Sequence, residues 1–180
     1  WFARKRSALG AVLVFTAPGI PMIFQGQEFL EDEWFRDVDP LDWSKKQRFA
    51  GIFRLYQDLI RMRRDRAGFA GLQGQSINVF HCNDTDKVIA FHRWDRGGPG
   101  DDVVVVLNLA NRVCDRYRIG LPRPGAWRVR FNSDWSGYSP DFGSNPGHDT
   151  VAEPGGYDGM DFHGEIGIGP YAALVLTQDG

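Results

Sequence analysis

The apolar residues of this chain change their spacing repeatedly, and each change predicts a different kind of element. From Trp1 to Phe15 a basic patch, Arg4-Lys5-Arg6, leads into Ala8-Leu9-Gly10-Ala11-Val12-Leu13-Val14-Phe15, which is apolar nearly all round. This pattern predicts a helix buried over most of its surface. Thr16-Ala17-Pro18-Gly19 ends it, because proline disfavours helix at the residue before it and glycine permits a turn. The next run, Gly19-Ile20-Pro21-Met22-Ile23-Phe24-Gln25-Gly26-Gln27-Glu28-Phe29, is apolar without alternation and breaks off in glycine, amide and carboxylate. It reads as a strand centred on Met22 to Phe24, covered on both faces, with a polar site at its C-terminal end.

A helical period returns at Ser44-Lys45-Lys46-Gln47, a capping-box pattern that predicts a helix start. Phe49, Ile52, Phe53, Tyr56, Leu59 and Ile60 then fall on one stripe, with Arg48, Arg54, Asp58 and Arg61 on the other side. The stripe reads as core packing. The basic end, Arg61-Met62-Arg63-Arg64-Asp65-Arg66, complements the negative end of the helix dipole. Helix, buried strand, loop and helix together form the unit of an α/β barrel or a doubly wound sheet. Ala67-Gly68 and Gly71 mark the hand-over to a second architecture.

From Gln75 onward the period is that of strands: Ile77 to Phe80, Lys87 to Trp94, Asp102 to Leu109, Cys114 to Ile119, Ala126 to Phe131 and Tyr171 to Thr177, separated by Gly, Pro, Asn and Asp clusters. Trp127-Arg128-Val129-Arg130-Phe131-Asn132 alternates strictly, one face buried and one wet. Val103 to Leu107 reads as buried on both faces. Short strands at this spacing predict an antiparallel sandwich. Asn132 to about Gly164 reads as a long Gly/Ser/Asn/Asp loop, beyond the ~12–15 residues usual without regular structure.

The chain of 180 residues is long enough for one ordinary domain or a domain plus part of another. Its formal charge of −2 gives no reason to expect nucleic acid or an anionic membrane as partner. No apolar run approaches the ~18 residues of a membrane span, and no leader-like segment opens the chain, so a cytoplasmic location is expected. The chain begins with Trp1 instead of Met, which reads as a fragment whose natural beginning lies upstream. Cys82 and Cys114 are too few for a disulfide scaffold and are expected reduced and semi-buried on strands.

Candidate chemistry concentrates after the apolar run. Between Leu30 and Ser44, Glu31, Asp32, Glu33, Asp37, Asp39 and Asp42 interleave with Trp34, Phe35 and Trp43. In a barrel this loop leaves the strand's C-terminal end, the face that carries active sites. Aromatic rings stack on pyranose C–H faces while carboxylates and amides bond the hydroxyls. Calcium is a rival use of such carboxylates, but the spacing lacks the twelve-residue loop pattern. A glycan-lining loop and a plain surface loop remain open. Gln27, Glu28 and Trp34 are the candidate substrate contacts here. Glu28 is read as orienting groups at the rim, its alternative being a buried, paired carboxylate with no substrate contact. Trp135 is a further candidate on the long loop, where it and Tyr138 either stack on a sugar or tether the loop to the sandwich. His81, His92, His148 and His163 lack metal-ligand spacing, and Gly97-Gly98-Pro99-Gly100 reads as a hairpin-like turn with no helix behind it to receive a phosphate. Neither a metal nor a cofactor is expected.

Gly19, Pro21, Ile23, Phe24, Gly26, Gln27 and Glu28 resemble the eighth barrel strand of the α-amylase superfamily. The continuation through Trp34 to Leu41-Asp42-Trp43 is most similar to 1,4-α-glucan branching enzymes. Asn132-Ser133-Asp134 and Phe142-Gly143-Ser144-Asn145 are similar to that family's all-β C-terminal domain. The resemblance implies an α+β fragment: residues 1–70 are the last helix-strand-helix portion of a (β/α)8 barrel, and residues 71–180 an antiparallel β-sandwich. It further implies α-glucan as the partner and packing on the missing barrel portion. Retaining glucan chemistry needs two carboxylates ~5–5.5 Å apart. The resemblance puts the nucleophilic Asp, the acid/base Glu and a third Asp upstream of Trp1, so no catalytic residue is expected here. An α-amylase-type hydrolase and a non-catalytic glucan-binding or structural module are the alternatives.

Overall fold

The computed structural model describes residues 1–34, 36–66 and 68–180. Phe35 of the acidic-aromatic loop and Ala67 of the expected hand-over lie outside the described residues. Helix α1 spans Phe2–Thr16, a short α2 spans Lys45–Arg48, and α3 spans Ala50–Arg64. Eight strands follow: β1 (Ser76–Asn83), β2 (Val88–Trp94), β3 (Val103–Asn108), β4 (Cys114–Leu121), β5 (Gly125–Asn132), β6 (Thr150–Tyr157), β7 (Met160–Ile168) and β8 (Ala172–Thr177). They form one sheet in the order β1-β2-β3-β8-β5-β6-β7-β4, with antiparallel pairing throughout. No described helix is long and apolar enough to cross a membrane.

The centre of the sheet explains the run of valines. Val103, Val105 and Leu107 of β3, with Ala173 and Val175 of β8, pack into a core shared with Leu9, Val12 and Phe15 of α1 and Leu55 and Leu59 of α3. Their neighbours Val104, Val106, Leu174 and Leu176 enter a second core with Ile119, Leu121, Trp127 and Ile166. Side chains alternate across a strand, so a strand with apolar partners on both faces carries no polar positions. The sheet curls until its two terminal strands meet: His81 of β1 hydrogen-bonds the Tyr117 hydroxyl of β4 at 2.8 Å and Asp158 at 2.9 Å.

Buried polar groups join helices to sheet. Lys5 of α1 and Asp134, after β5, form an ion pair with both side chains fully buried. Arg93 of β2 donates to the carbonyls of Thr16, Leu72, Gly74 and Ser76. Tyr138 donates its hydroxyl to Asp58 of α3 at 3.0 Å.

The structure departs from the sequence reading in several places. Met22 to Phe24 do not form a strand: the segment has no ladder partner among the described residues, and Ile20, Met22 and Phe24 are 97%, 80% and 58% exposed. Of Met22 to Phe24, Ile23 packs against the core. Burial on two faces belongs to a strand's neighbours and not to its own residues, and here no neighbour flanks it. The capping box does not form either. Ser44 makes no side-chain cap and instead donates to Asp42 Oδ1 at 2.6 Å, while the helix breaks at Phe49 and restarts at Ala50. Within the stripe, Ile52, Tyr56 and Leu59 are buried but Ile60 is exposed, and Leu55 and Met62 take the remaining buried places. Cys82 is exposed on β1.

The supposed long loop contains β6 and β7. Pro154, Gly155 and Gly156 interrupt β6, where the ladder to β7 shifts register, so its composition reads as a turn. Gly167 of β7 lies so near the Pro146 carbonyl that a Cβ would approach it to 2.4 Å. That glycine serves a close backbone approach, which composition alone cannot distinguish from a loop glycine.

Candidate functional site

The segment after the extended run is shaped by two left-handed residues. Gly26 (φ 81°) opens a single 3-10 turn, Gln27–Phe29, and Leu30 (φ 57°) closes it. Phe29 is anchored in the interior while the chain turns back so that Glu31 N donates to Gly26 O at 2.9 Å. Glu31 then organises the loop. Its Oε1 accepts from Asp32 N, Glu33 N and Lys45 Nζ at 3.0, 3.1 and 2.6 Å, and its Oε2 accepts from Asp42 N at 2.8 Å. Lys45 first, and then these backbone donors, hold the Glu31 carboxyl down to about 2. Asp32, which also meets Lys45, is lowered as well, and Asp42 is lowered by Ser44. Three of the acidic residues therefore take part in folding the loop.

What this scaffold presents is a groove of about 280 Å³, with Phe24, Gln25, Gln27, Trp34, Arg36 and Asp39 among its lining. Trp34 is 84% exposed. Gln27 Oε1 accepts from Phe24 N at 3.2 Å, which leaves the amide NH2 without a partner among the described residues. An exposed indole beside an unused amide donor, a guanidinium and a carboxylate has the make-up of a site for a polyhydroxylated ligand: an apolar wall and a few polar groups. A Glu31→Gln substitution should loosen residues 31–45, seen as faster amide exchange there with unchanged exchange in β3 and β8. Because the folded carboxyl is lowered, this ordering is present above the ordinary glutamate value and lost as pH falls toward about 2.

Gln27 and Trp34 thus come together, whereas Glu28 does not join them. Its Oε2 is buried with no hydrogen-bond partner among the described residues. It lies near Tyr56 of α3, whose phenol is pushed up to about 12 by burial first, the Glu28 charge adding to this and the nearby Ser7 hydroxyl opposing it. Trp135 is elsewhere, on a second depression of about 400 Å³ with Arg130, Asn132, Tyr138, Ser144 and Asn145. It is 45% exposed, and its ring meets Tyr138 edge-on at 5.0 Å. Tyr138 itself is buried and bonded to Asp58, so it ties the loop down. Asp39 is one of the six acids of the loop that the sequence offers without ranking, and nothing in the spacing of Arg36 separates it from a solvated loop residue. Phe24 was hidden by its apolar neighbours. Among the described residues, no group of three or more His, Cys, Asp or Glu side chains is placed to hold a metal ion.

Comparison with known proteins gives this geometry a family. Residues 79–179 match the model of the alpha amylase C-terminal all-beta domain. The chain is 37% identical over 144 residues, 76% of its length, to a 1,4-alpha-glucan branching enzyme GlgB of Paramagnetospirillum magneticum, covering 19% of that protein. It is 34% identical over 195 aligned positions, 99% of its length, to GlgB 1 of Xanthomonas axonopodis pv. citri, covering 25% of it. The chain therefore spans a quarter or less of these curated relatives. Among solved structures, pullulanase type I from Bacillus subtilis superposes with a TM-score of 0.68 at 16% identity, over 98% of this chain and 24% of that one. The alpha-amylase from H. orenii superposes with a TM-score of 0.64 at 18% identity, over 98% of this chain and 36% of that one. At these identities the two structures testify to the fold alone. With its eight antiparallel strands and the matched span from β1 to the C-terminus, the chain belongs to the family of the alpha amylase C-terminal all-beta domain.

Proposed function

We propose that the chain is the C-terminal part of a 1,4-α-glucan branching enzyme, in which residues 1–70 complete a (β/α)8 catalytic barrel and residues 71–180 form the β-sandwich behind it. The parent enzyme cleaves an α-1,4 linkage through a covalent glycosyl-enzyme and transfers the chain to a 6-hydroxyl, without a cofactor, in the cytoplasm. The catalytic carboxylates lie outside this chain, which by itself turns over no substrate. In the whole protein, Met22 to Phe24 gain flanking strands, and their exposed faces pack on the preceding barrel units. Gln27 and Trp34 contact glucan at the rim, Glu28 orients the group that comes to lie against it, and Trp135 offers a separate stacking surface.

The observation that carries this reading is the groove of Phe24, Gln27, Trp34, Arg36 and Asp39 immediately after the Gly19 to Glu28 motif. Names of the relatives support branching over hydrolysis, since both similar sequences quoted are branching enzymes. Affinity electrophoresis in glycogen-containing gels tests the contacts. Retardation of the chain should fall severalfold in Trp34→Ala, in keeping with the ~1 kcal/mol scale of a sugar-stacking ring. Equal mobility of wild type and Trp34→Ala would remove the rim from the proposal. For the parent reaction, iodine-stained glucan treated with the chain joined to a catalytic barrel should gain branches; loss of chain length without new branches would mean a hydrolase.

A further inference from the structure

Beyond the last turn of α3, several guanidinium groups gather around one depression. Arg63, Arg64 and Arg66, with Gly19, Ile20, Gln73 and Gln75, line a concavity of about 650 Å³. Next to it lies the fully buried Arg93, which donates to Gly74 O at 2.6 Å, between the two lining glutamines. Every hydrogen bond that Arg93 makes ends on a carbonyl oxygen. The same is true of Arg63, which reaches Phe15, Ala17 and Gly19 at 3.1, 2.9 and 2.7 Å. Buried cations ordinarily have an anionic partner; the buried Arg93 and the half-buried Arg63 have only peptide dipoles among the described residues. Burial first, and then repulsion from Arg63, bring Arg93 down to about 10.

At the mouth, Arg64 forms no ion pair among the described residues and is exposed. Arg66 uses its Nε on Gln73 Oε1 at 2.8 Å, which turns the guanidinium along the lining. Asp65 accepts from Gly68 N at 3.2 Å, and Asp95 stands beside Gly74; neither carboxylate lines the depression. The excess positive charge calls for a ligand with more than one negative charge and several acceptor oxygens. Guanidinium forks match phosphate in that way, while a single carboxylate brings half the charge.

We propose that this depression binds a phosphomonoester dianion, either inorganic phosphate or the phosphate ester of a sugar, gripped by Arg64 and Arg66 over the fixed positive background of Arg63 and Arg93. Isothermal titration of the whole chain with inorganic phosphate and with a hexose phosphate, at constant ionic strength set by chloride, tests it. Saturable one-to-one binding is expected, weakened about tenfold or more in the double variant Arg64→Gln, Arg66→Gln, as suits the loss of charge-assisted hydrogen bonds. Arg116→Gln, an exposed change on β4, should bind as wild type does, and circular dichroism should be unchanged in both variants. Tighter binding of the ester assigns the site to a sugar phosphate, and equal binding assigns it to phosphate itself. Heats no larger than those of chloride, or a double variant that binds as tightly as wild type, would overturn the proposal.

Discussion

Asp134→Ala is expected to destabilise the folded chain by about 3–5 kcal/mol, the cost of leaving one half of a buried ion pair alone. The carboxylate accepts from Lys5 Nζ, from Gly143 N at 3.2 Å, from Asn145 N at 3.0 Å and from Asn145 Nδ2 at 2.7 Å. Alanine would leave a fully buried ammonium facing the rings of Phe142 and Trp1, 4.8 and 5.9 Å away, with no carboxylate bonded to it. The backbone N–H groups of Gly143 and Asn145 would also lose their acceptor. Total stabilities of single domains are about 5–15 kcal/mol, so the variant should melt roughly 6–20 °C lower. Urea denaturation followed by tryptophan fluorescence measures this, and a loss under about 1 kcal/mol would show that the pair is not closed in solution. The double change Lys5→Met, Asp134→Leu removes both charges and should regain most of the loss.

The same pair sets an acid limit. Burial alone would raise the Asp134 carboxyl, but the hydrogen bonds from Lys5 and Asn145 outweigh it and hold it below the usual carboxylate range. Burial lowers Lys5 too, with Asp134 opposing. A carboxyl depressed in the folded state stabilises fully above its unfolded value of ~3.9, and that stability is lost as pH falls through the folded value. Wild type should therefore lose stability below about pH 4 more steeply than the double variant without the pair.

Trp127→Ala should cost about 3–5 kcal/mol as well, by a different route. Trp127 is fully buried in the core between the two halves of the sheet, among Ile119, Leu121, Ile166 and Leu176. Its Nε1 donates to Arg123 O at 3.1 Å. Truncation removes the largest side chain of that core and strands a carbonyl, and the strands around it cannot close over the cavity without breaking ladder bonds. Trp127→Phe fills most of the volume and should recover more than half of the loss. Equal damage from both substitutions would point to the indole hydrogen bond instead of the cavity.

Trp127 also illustrates what was legible beforehand. Alternation from Trp127 to Asn132 marked which positions of β5 are buried and which exposed, but a bulge between Val129 and Phe131 puts Trp127 and Phe131 into the two opposite cores, so the strand does not have the single covered face its sequence suggests. Helix α3 was legible from its stripe, and β1, β2, β3, β4 and β8 from their apolar spacing; α1 was legible as a helix, but its expected burial nearly all round fails at the exposed Leu13 and Val14. The candidate site was half legible. Gln27 and Trp34 share the groove, yet Arg36 and Asp39 complete it through a loop whose path depends on Glu31 and Lys45, residues fourteen positions apart. Of the supposed sugar-facing acids, Glu31, Asp32 and Asp42 are occupied internally.

Local pattern determined which segments form helix or strand, because hydrophobic spacing records the face each element must cover. Only the tertiary structure decided that Met22 to Phe24 stay unpaired, that β6 and β7 arise from a Gly- and Pro-rich stretch, and that Glu28 turns inward toward Tyr56. Those outcomes depend on which neighbour comes alongside, and a pairing partner distant in the chain leaves no trace in the spacing of the residues it pairs with.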